Sequence, residues 1–527
     1  MSLKLSPLIS NSMILQRNTE IKIRGYCNPN EAVEISFNGV AVTATADGNG
    51  FWLCSLGEFE ACSEPLEMKI SSNGEVIIVG DILIGDVWLC SGQSNMELWL
   101  SRVRHNYPDD AAAQNPMIRQ FKVPQVHNFN APSDEFSLSE SKWEAFSPEV
   151  IANFTAVGYF FAKKLHERYK IPIGLLASAV GGTPVTAWMS REMLEDLGLT
   201  NELAEAEKCK DPEYIKKTLG DYEKYSQDYH KQLGESDLGF RESWAGADYD
   251  DSDWEEINIH KPVHKSGSYW YRKTIDLPEE LWGKPASIFL GTAIDMDEVF
   301  VNGEKIGTTY YRYPPRDYQF TLPEGRCVIA IRLLCFGGYG EFAAGKNYFL
   351  ATERRTLDIG GVWKRRQGAE TENQAPMTFF NYKPTGLFNG MISPLMNTAV
   401  KGVIWYQGES DTGNPGRYAE KLSAMINGWR EARGIRELPF IMTQLVYYEY
   451  TGSHDSEHGA HWEKLREQQK LCLELPKTGL ALGYDLGEYN DLHPQNKRDI
   501  GERLARLAYR LAYNEKLPPN LFEMYNC

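Results

Sequence analysis

The hydrophobic positions of this chain change their period several times, and each change marks a different kind of structure. Between residues 13 and 78 apolar and polar residues alternate, as in Thr19-Glu20-Ile21-Lys22-Ile23 and Ala32-Val33-Glu34-Ile35-Ser36-Phe37, with Asn38-Gly39 and Asp47-Gly48 as turn dipeptides. Such a pattern predicts short, half-buried strands, here a small N-terminal β-sandwich over residues 1–80. The alternation then gives way to Ile82-Leu83-Ile84-Gly85-Asp86-Val87-Trp88-Leu89, a nearly continuous apolar run of the kind buried on both faces of a sheet. Helical periodicity follows over 153–169, and Ile173-Gly174-Leu175-Leu176-Ala177-Ser178 reads as a second buried strand. Residues 81–200 therefore predict α/β alternation.

Two segments interrupt it. Residues 201–238 are highly charged and predict a solvated helical connection. Over 239–358 strand patterns return, as in Tyr269-Trp270-Tyr271-Arg272-Lys273-Thr274-Ile275 and Val299-Phe300-Val301, with Asn302-Gly303 as a hairpin signal. This predicts an inserted all-β domain. Within Tyr269-Trp270-Tyr271, strand alternation sends the middle ring to the face opposite its neighbours, as core packing requires. From 359 to 527 the α/β pattern resumes, with strands expected at 399–405, 440–445 and 480–484 and helices at 417–432, 462–473 and 497–511. One α/β domain is thus expected to be split around an insertion, which a surface loop permits.

Composition narrows the function. A chain of 527 residues with 42% hydrophobic content builds several cores rather than one. The net charge of −17, with no basic run to offset it locally, argues against nucleic acid and anionic lipid as partners. No apolar stretch approaches the roughly 20 residues of a membrane span. Aromatic residues make up 12% of the chain, and their flat faces suit sugar rings as well as cores. The nine cysteines are odd in number and lack CxxC spacing, so they read as mostly buried thiols rather than a disulfide framework or zinc ribbon.

Three loops carry the candidate chemistry. Ser91-Gly92-Gln93-Ser94-Asn95-Met96 follows the buried strand ending at Leu89, which sets Ser94 at the carboxyl edge of the sheet, where open α/β sheets bind ligands. Val403-Ile404-Trp405-Tyr406-Gln407-Gly408-Glu409-Ser410-Asp411 follows another buried strand and brings amide, carboxylate and aromatic groups to the same edge. Asn490-Asp491-Leu492-His493-Pro494 precedes the last helix, and among the ten histidines only His493 combines a nearby carboxylate, a helix entrance and a preceding buried strand. Each loop alone reads equally well as a capped polar turn. His454, His458 and His461, with Asp455 and Glu457, have spacing that a metal site can use, but Thr451-Gly452-Ser453 before them points to a polar loop beside the site, so no metal and no cofactor is expected.

Together, Gly92-Gln93-Ser94-Asn95-Met96, Gly181-Gly182-Thr183 with Trp188, Trp405-Tyr406-Gln407-Gly408-Glu409-Ser410 and His493-Pro494 resemble the sialate O-acetylesterases within the wider SGNH hydrolase group. The resemblance implies a flavodoxin-like, three-layer α/β domain and hydrolysis of O-acetyl esters on carbohydrate. It implies Ser94 as nucleophile and His493 as general base. Oxyanion donors would be the backbone N–H of Ser94, a backbone N–H of the Gly181-Gly182 loop, Gly182 above all, and the Gln407 amide. Gln93, Asn95, Gly181, Thr183, Trp405 and Glu409 would bind substrate or support the site. The wider group has its acid three residues before the histidine, where this chain has Asn490; Asp491 stands two residues before. Asp491 is the expected third member, with Glu409 or a Ser-His dyad as alternatives. The inserted segment, through Asp297-Glu298-Val299-Phe300-Val301-Asn302-Gly303, resembles galactose-binding-like jelly rolls. An acetylated carbohydrate is the expected partner. Acetylxylan deacetylation is the nearest rival reading, and a carbohydrate-binding protein with a decayed site is a rival of another class. Met1-Ser2-Leu3-Lys4 leads directly into folded-looking sequence, and the resemblance favours a periplasmic or secreted setting; the oligomeric state stays open.

Overall fold

The computed structural model describes residues 2–136, 141–312, 314–449, 458–489 and 491–516. Its backbone is organised by one strand of 18 residues, β1 (Glu75–Gly92). The first half of β1 pairs antiparallel with Cys62–Ser72, while Ile14–Gln16 runs parallel to it through Ile14 and Leu83. The second half is the middle of a parallel sheet. The expected boundary at residue 80 therefore falls inside a continuous strand, and the N-terminal hairpins extend the same 11-stranded sheet. From Ile82 onward every residue of β1 is buried, on both faces, as the apolar run requires.

The parallel strands are β2 (Asn115–Lys122), β3 (Ile173–Ala179), β4 (Gly402–Tyr406), β5 (Phe440–Thr443) and β6 (Thr478–Ala481), in spatial order β2-β3-β1-β4-β5-β6. Trp143–Phe146 closes the β2 edge antiparallel. Strand alternation feeds two cores. Leu89, Val403 and Phe440 join Trp188, Leu422 and Trp429 on one side. Trp88, Cys90 and Ile404 join Phe161, Leu165 and Leu504 on the other. The helices supplying these partners are α2 (Ala156–Tyr169), α3 (Tyr418–Ala432) and α5 (Lys497–Leu511); α4 (His458–Leu471) packs beside α3. Thr155 caps α2 by accepting the Gly158 N–H, and Asn496 caps α5 by accepting that of Asp499, so both helices start where their polar caps stand. Burying each Leu, Ile or Phe of these faces contributes about 1.5–3 kcal/mol.

Chain order reverses at β1: β2 and β3 lie on one side and β4 to β6 on the other. In register, Gly92 is flanked by Ala179 of β3 and Tyr406 of β4. The three loops that leave these strands must therefore emerge together, at the switch point where α/β sheets hold ligands.

Residues 200–236 form two helices, Thr200–Lys208 and Pro212–Ser236, the second opened by Asp211 as cap and Pro212 at its first position. Beyond them a six-stranded and a four-stranded antiparallel sheet pack face to face. Tyr269 and Tyr271 point into the core between these sheets, and Trp270 points to the other face among Trp244, Trp254 and Phe300, as strand alternation predicts. Among the described residues no helix is long and apolar enough to cross a membrane. Eight described cysteines are free thiols, and all but Cys62 are buried; Cys527 lies outside the described residues.

Candidate functional site

The strand-to-helix turn after β1 is built around Gly92. Its φ is +130°, and a Cβ there would stand 2.1 Å from the main-chain oxygen of Tyr406, so the approach of β4 demands glycine. The Gln93 N–H donates to that same Tyr406 oxygen at 2.9 Å. Ser94 then opens the four-residue helix α1 (Ser94–Glu97), in which the first N–H groups have no intrahelical acceptor. Gln93 Oε1 receives the N–H groups of Gly408 and Ser410, both at 3.3 Å, and so joins the nucleophile turn to the loop after β4.

The glycine loop after β3 lies against this turn. A Cβ on Gly181 would stand 3.4 Å from the Ser94 Cβ, and the Gly181 N–H donates to Glu97 Oε2 at 2.7 Å. That donor is spent. Gly182 follows at φ +77°, where a Cβ would collide with the Tyr382 ring. Thr183 is buried behind it, its hydroxyl bonded to the Val180 carbonyl and to the Trp188 indole N–H.

The expectation for Gln407 is corrected by its surroundings. Its side chain is fully buried, and its Nε2 donates to the Thr183 carbonyl at 3.1 Å and to Asp411 Oδ2 at 2.6 Å. Its Oε1 accepts the Tyr418 hydroxyl at 2.8 Å. The amide protons are thus consumed in a brace behind the glycine loop, and Gln407 does not line the cavity as an oxyanion donor would. Trp405 is likewise a core residue, edge-on to Trp188 and Trp429.

His493 enters from the loop before α5 and is buried. Its neighbour Asp491 accepts the His493 main-chain N–H on Oδ1 at 2.7 Å, and its Oδ2 pairs with Lys346 Nζ at 2.6 Å. Lys346 comes from the inserted segment and also pairs with Glu488. Burial works against the charged form of Asp491, but Lys346 and His493 outweigh it and hold the carboxyl below its ordinary range. Burial pushes His493 down to about 3; Asp491 opposes that shift, and Arg102, Lys497 and Lys346 reinforce it. The imidazole is therefore neutral at pH 7, the state a general base needs. Asn490, at the position where the wider pattern has its acid, lies outside the described residues.

Asn95 knots these loops together. Its amide donates to Glu409 Oε1 at 2.5 Å and to the Leu492 carbonyl at 3.0 Å, and its oxygen accepts Lys497 Nζ at 2.5 Å. Burial raises the pKa of Glu409, with Asn95 pulling the other way, and pushes Lys497 down to about 7 against the attraction of Asp491 and Glu409. Glu409 and Asp491, the two acids weighed for the third role, thus occupy different settings. Glu409 is tied to Asn95, whereas Asp491 is charged and acts on His493.

All this surrounds one cavity of about 820 Å³, lined among others by Gln93, Ser94, Gly181, Gly182, Glu409 and His493. Sequence reasoning missed several of its residues. Glu97 stands one helical turn from Ser94, a spacing that could have drawn attention to it. Arg102, Tyr382, Tyr311 and Arg312 carry no such signal. Phe379 stacks on Tyr382 with ring centroids 4.8 Å apart, giving the wall an aromatic face. Among the described residues no group of three or more His, Cys, Asp or Glu side chains is placed to hold a metal ion. Residues 450–457, with His454, Asp455 and Glu457, lie outside them.

A carbohydrate acetylesterase from Xanthomonas citri superposes with a TM-score of 0.60 at 26% identity, covering 98% of this chain and 76% of that one. The sialic acid-specific acetylesterase family of carbohydrate esterases matches residues 84–209 and 375–510. The rat sialate O-acetylesterase is 24% identical over 503 residues, 90% of this chain and 66% of the rat protein. The mouse enzyme is 32% identical over 214 residues, 37% of this chain and 38% of its own length. The chain therefore spans less than two thirds of the length of the rat and mouse proteins. The two family segments flank residues 210–374, so the family's matched region is interrupted where the all-β insertion lies.

Proposed function

We propose that the chain is a carbohydrate O-acetyl esterase acting on O-acetylated sialic acid, with Ser94 as nucleophile and His493 as general base. The observation that carries this reading is that Ser94, Gly182 and His493, from three separate loops, line a single cavity at the switch point of the sheet. His493 takes the Ser94 proton as Oγ attacks the acetyl carbonyl, and returns one to the sugar oxygen as the ester bond breaks. Water then releases acetate from the acyl-serine by the same route. The Ser94 and Gly182 N–H groups serve the oxyanion, and the bare Cα of Gly182 leaves room for it. Asp491 stabilises the transient imidazolium by its charge and fixes the loop through the His493 main-chain N–H. The relatives' names and the aromatic wall support a sugar ester as substrate.

In fold terms we read residues 81–200 and 359–527 as the two parts of one SGNH-type three-layer domain. The segment 1–80 is a β-sandwich fused to its sheet, 201–238 a helical connection, and 239–358 an inserted jelly roll. The test is Ser94→Ala. It should abolish both acetate release from O-acetylated sialic acid, by about four orders of magnitude or more, and labelling by a serine-directed organophosphonate. Turnover unchanged in that variant would overturn the mechanism.

A further inference from the structure

The cavity contains a cation that the protein does not neutralise. Arg102 lies on the short helix Leu100–Val103 that follows the nucleophile turn, and it lines both the 820 Å³ cavity and a neighbouring one of about 380 Å³. Among the described residues its side chain makes no hydrogen bond and no ion pair, and its Nε and Nη2 are buried without a partner. The other cations nearby are engaged: Arg312 with Asp295, Lys346 with Asp491 and Glu488, Lys497 with Asn95. The cavity's carboxyl groups are engaged as well, Glu97 with the Gly181 N–H and the Gln125 amide, Glu409 with Asn95. Burial pulls the Arg102 pKa down, with Tyr311, Asp491 and Glu97 opposing it, but a guanidinium stays charged at neutral pH.

Arg102 is half-buried, with two of its three guanidinium nitrogens closed off from solvent and unpaired, and such a charge is best offset by an anion. A guanidinium pairs best with a carboxylate, whose two oxygens match its fork. We infer that Arg102 is the anion-recognition residue of this cavity, pairing with the sugar carboxylate of an acetylated sialic acid and selecting it over neutral acetylated sugars. The inference rests on the proposed esterase reading and deepens it. It also resolves how a chain with a net charge of −17 admits an anionic sugar, through one local cation rather than its overall field.

The test compares wild type, Arg102→Gln and Arg102→Lys on p-nitrophenyl acetate, on O-acetylated N-acetylneuraminic acid, on the methyl ester of that acid, and on acetylated xylo-oligosaccharide. A charge-assisted contact of this kind predicts a rise in KM of about ten- to a hundredfold when the wild-type substrate is methylated. Arg102→Gln should show the same rise on the free acid and no response to methylation, so that its loss of kcat/KM is about ten- to a hundredfold larger on the free acid than on p-nitrophenyl acetate or the xylo-oligosaccharide. Arg102→Lys, which keeps the charge but loses the fork, should fall between. Unacetylated N-acetylneuraminate should competitively inhibit wild-type hydrolysis of p-nitrophenyl acetate and not that of Arg102→Gln. Equal losses on every ester, or equal wild-type rates on acid and methyl ester, would overturn the inference. Should wild type cleave p-nitrophenyl acetate and acetylated xylan but not acetylated sialic acid, the substrate reading fails by itself. The inhibition arm then decides Arg102: loss of inhibition in Arg102→Gln supports it, and its absence in wild type overturns it.

Discussion

The serine end and the histidine end of the cavity are held by different physics. Ser94 is fixed by main chain: a strand in register with two neighbours, a glycine that lets them close, and a helix that starts at once. His493 is fixed by side chains from distant segments, with Asp491 bridging its N–H to Lys346 of the insertion and Asn95 gripping the Leu492 carbonyl. Backbone register is rigid because any change must move whole strands. A buried ion pair is rigid only while both partners are present. The two ends should therefore fail differently when they are broken.

The largest effect is expected at the serine end. Gly92→Ala places a Cβ 2.1 Å from the Tyr406 main-chain oxygen at a φ of +130°. Neither strand can yield, so the variant should lose roughly 4 kcal/mol or more of stability along with its activity. A urea melt within about 1 kcal/mol of wild type would show that the register is not what holds Ser94.

At the histidine end, Lys346→Met leaves the Asp491 carboxylate buried beside Glu488 without its cation. Breaking such a pair typically costs about 3–5 kcal/mol. Adding Asp491→Asn should recover much of that loss, because the amide keeps an oxygen for the His493 N–H without the unpaired charge. If the two losses simply add, Lys346 and Asp491 are not coupled and the insertion does not support the catalytic loop.

The same contrast explains what was legible in the sequence. Ser94, Gly181, Gly182 and His493 follow buried strands or precede a helix, and apolar runs with glycine and capping residues announce such places. The strands and helices of the split α/β region were readable for the same reason, with ends shifted by a few residues. Lys346 and Arg102 were not, because their roles depend on which distant segment the fold sets opposite them. Gln407 was placed on the right loop, but neither its amide partners nor the continuity of β1 across residue 80 is encoded in any local pattern.

A smaller effect separates bracing from catalysis at Gln407. Replacing it by Ala strips partners from the buried Asp411 carboxyl, the Thr183 carbonyl and the Tyr418 hydroxyl, which should cost about 1–3 kcal/mol of stability. As a brace rather than an oxyanion donor, it should lower kcat by less than the roughly hundredfold seen when one such donor is removed. A drop of that size with unchanged stability would return Gln407 to the oxyanion.

The gentlest way to load the histidine end is acid. His493 has an ordinary pKa of 6.5 and about 3 when folded. Across that interval the unfolded chain binds a proton that the folded chain refuses, so stability is lost as pH falls from 6.5 toward 3, by at most about 1.4 kcal/mol per unit. Asp491 acts in a separate window. Its folded pKa lies below 3.8, so its contribution is present above that value and fades only as pH falls beneath it. Comparing urea melts of wild type and His493→Gln from pH 7.5 to 4.5 isolates the histidine, because the other titrating groups are common to both. The stability of wild type relative to the variant should decline steadily on acidification. A difference that does not change with pH would mean that His493 is accessible enough to protonate while folded, and that burial by the histidine loop is not what keeps it a base.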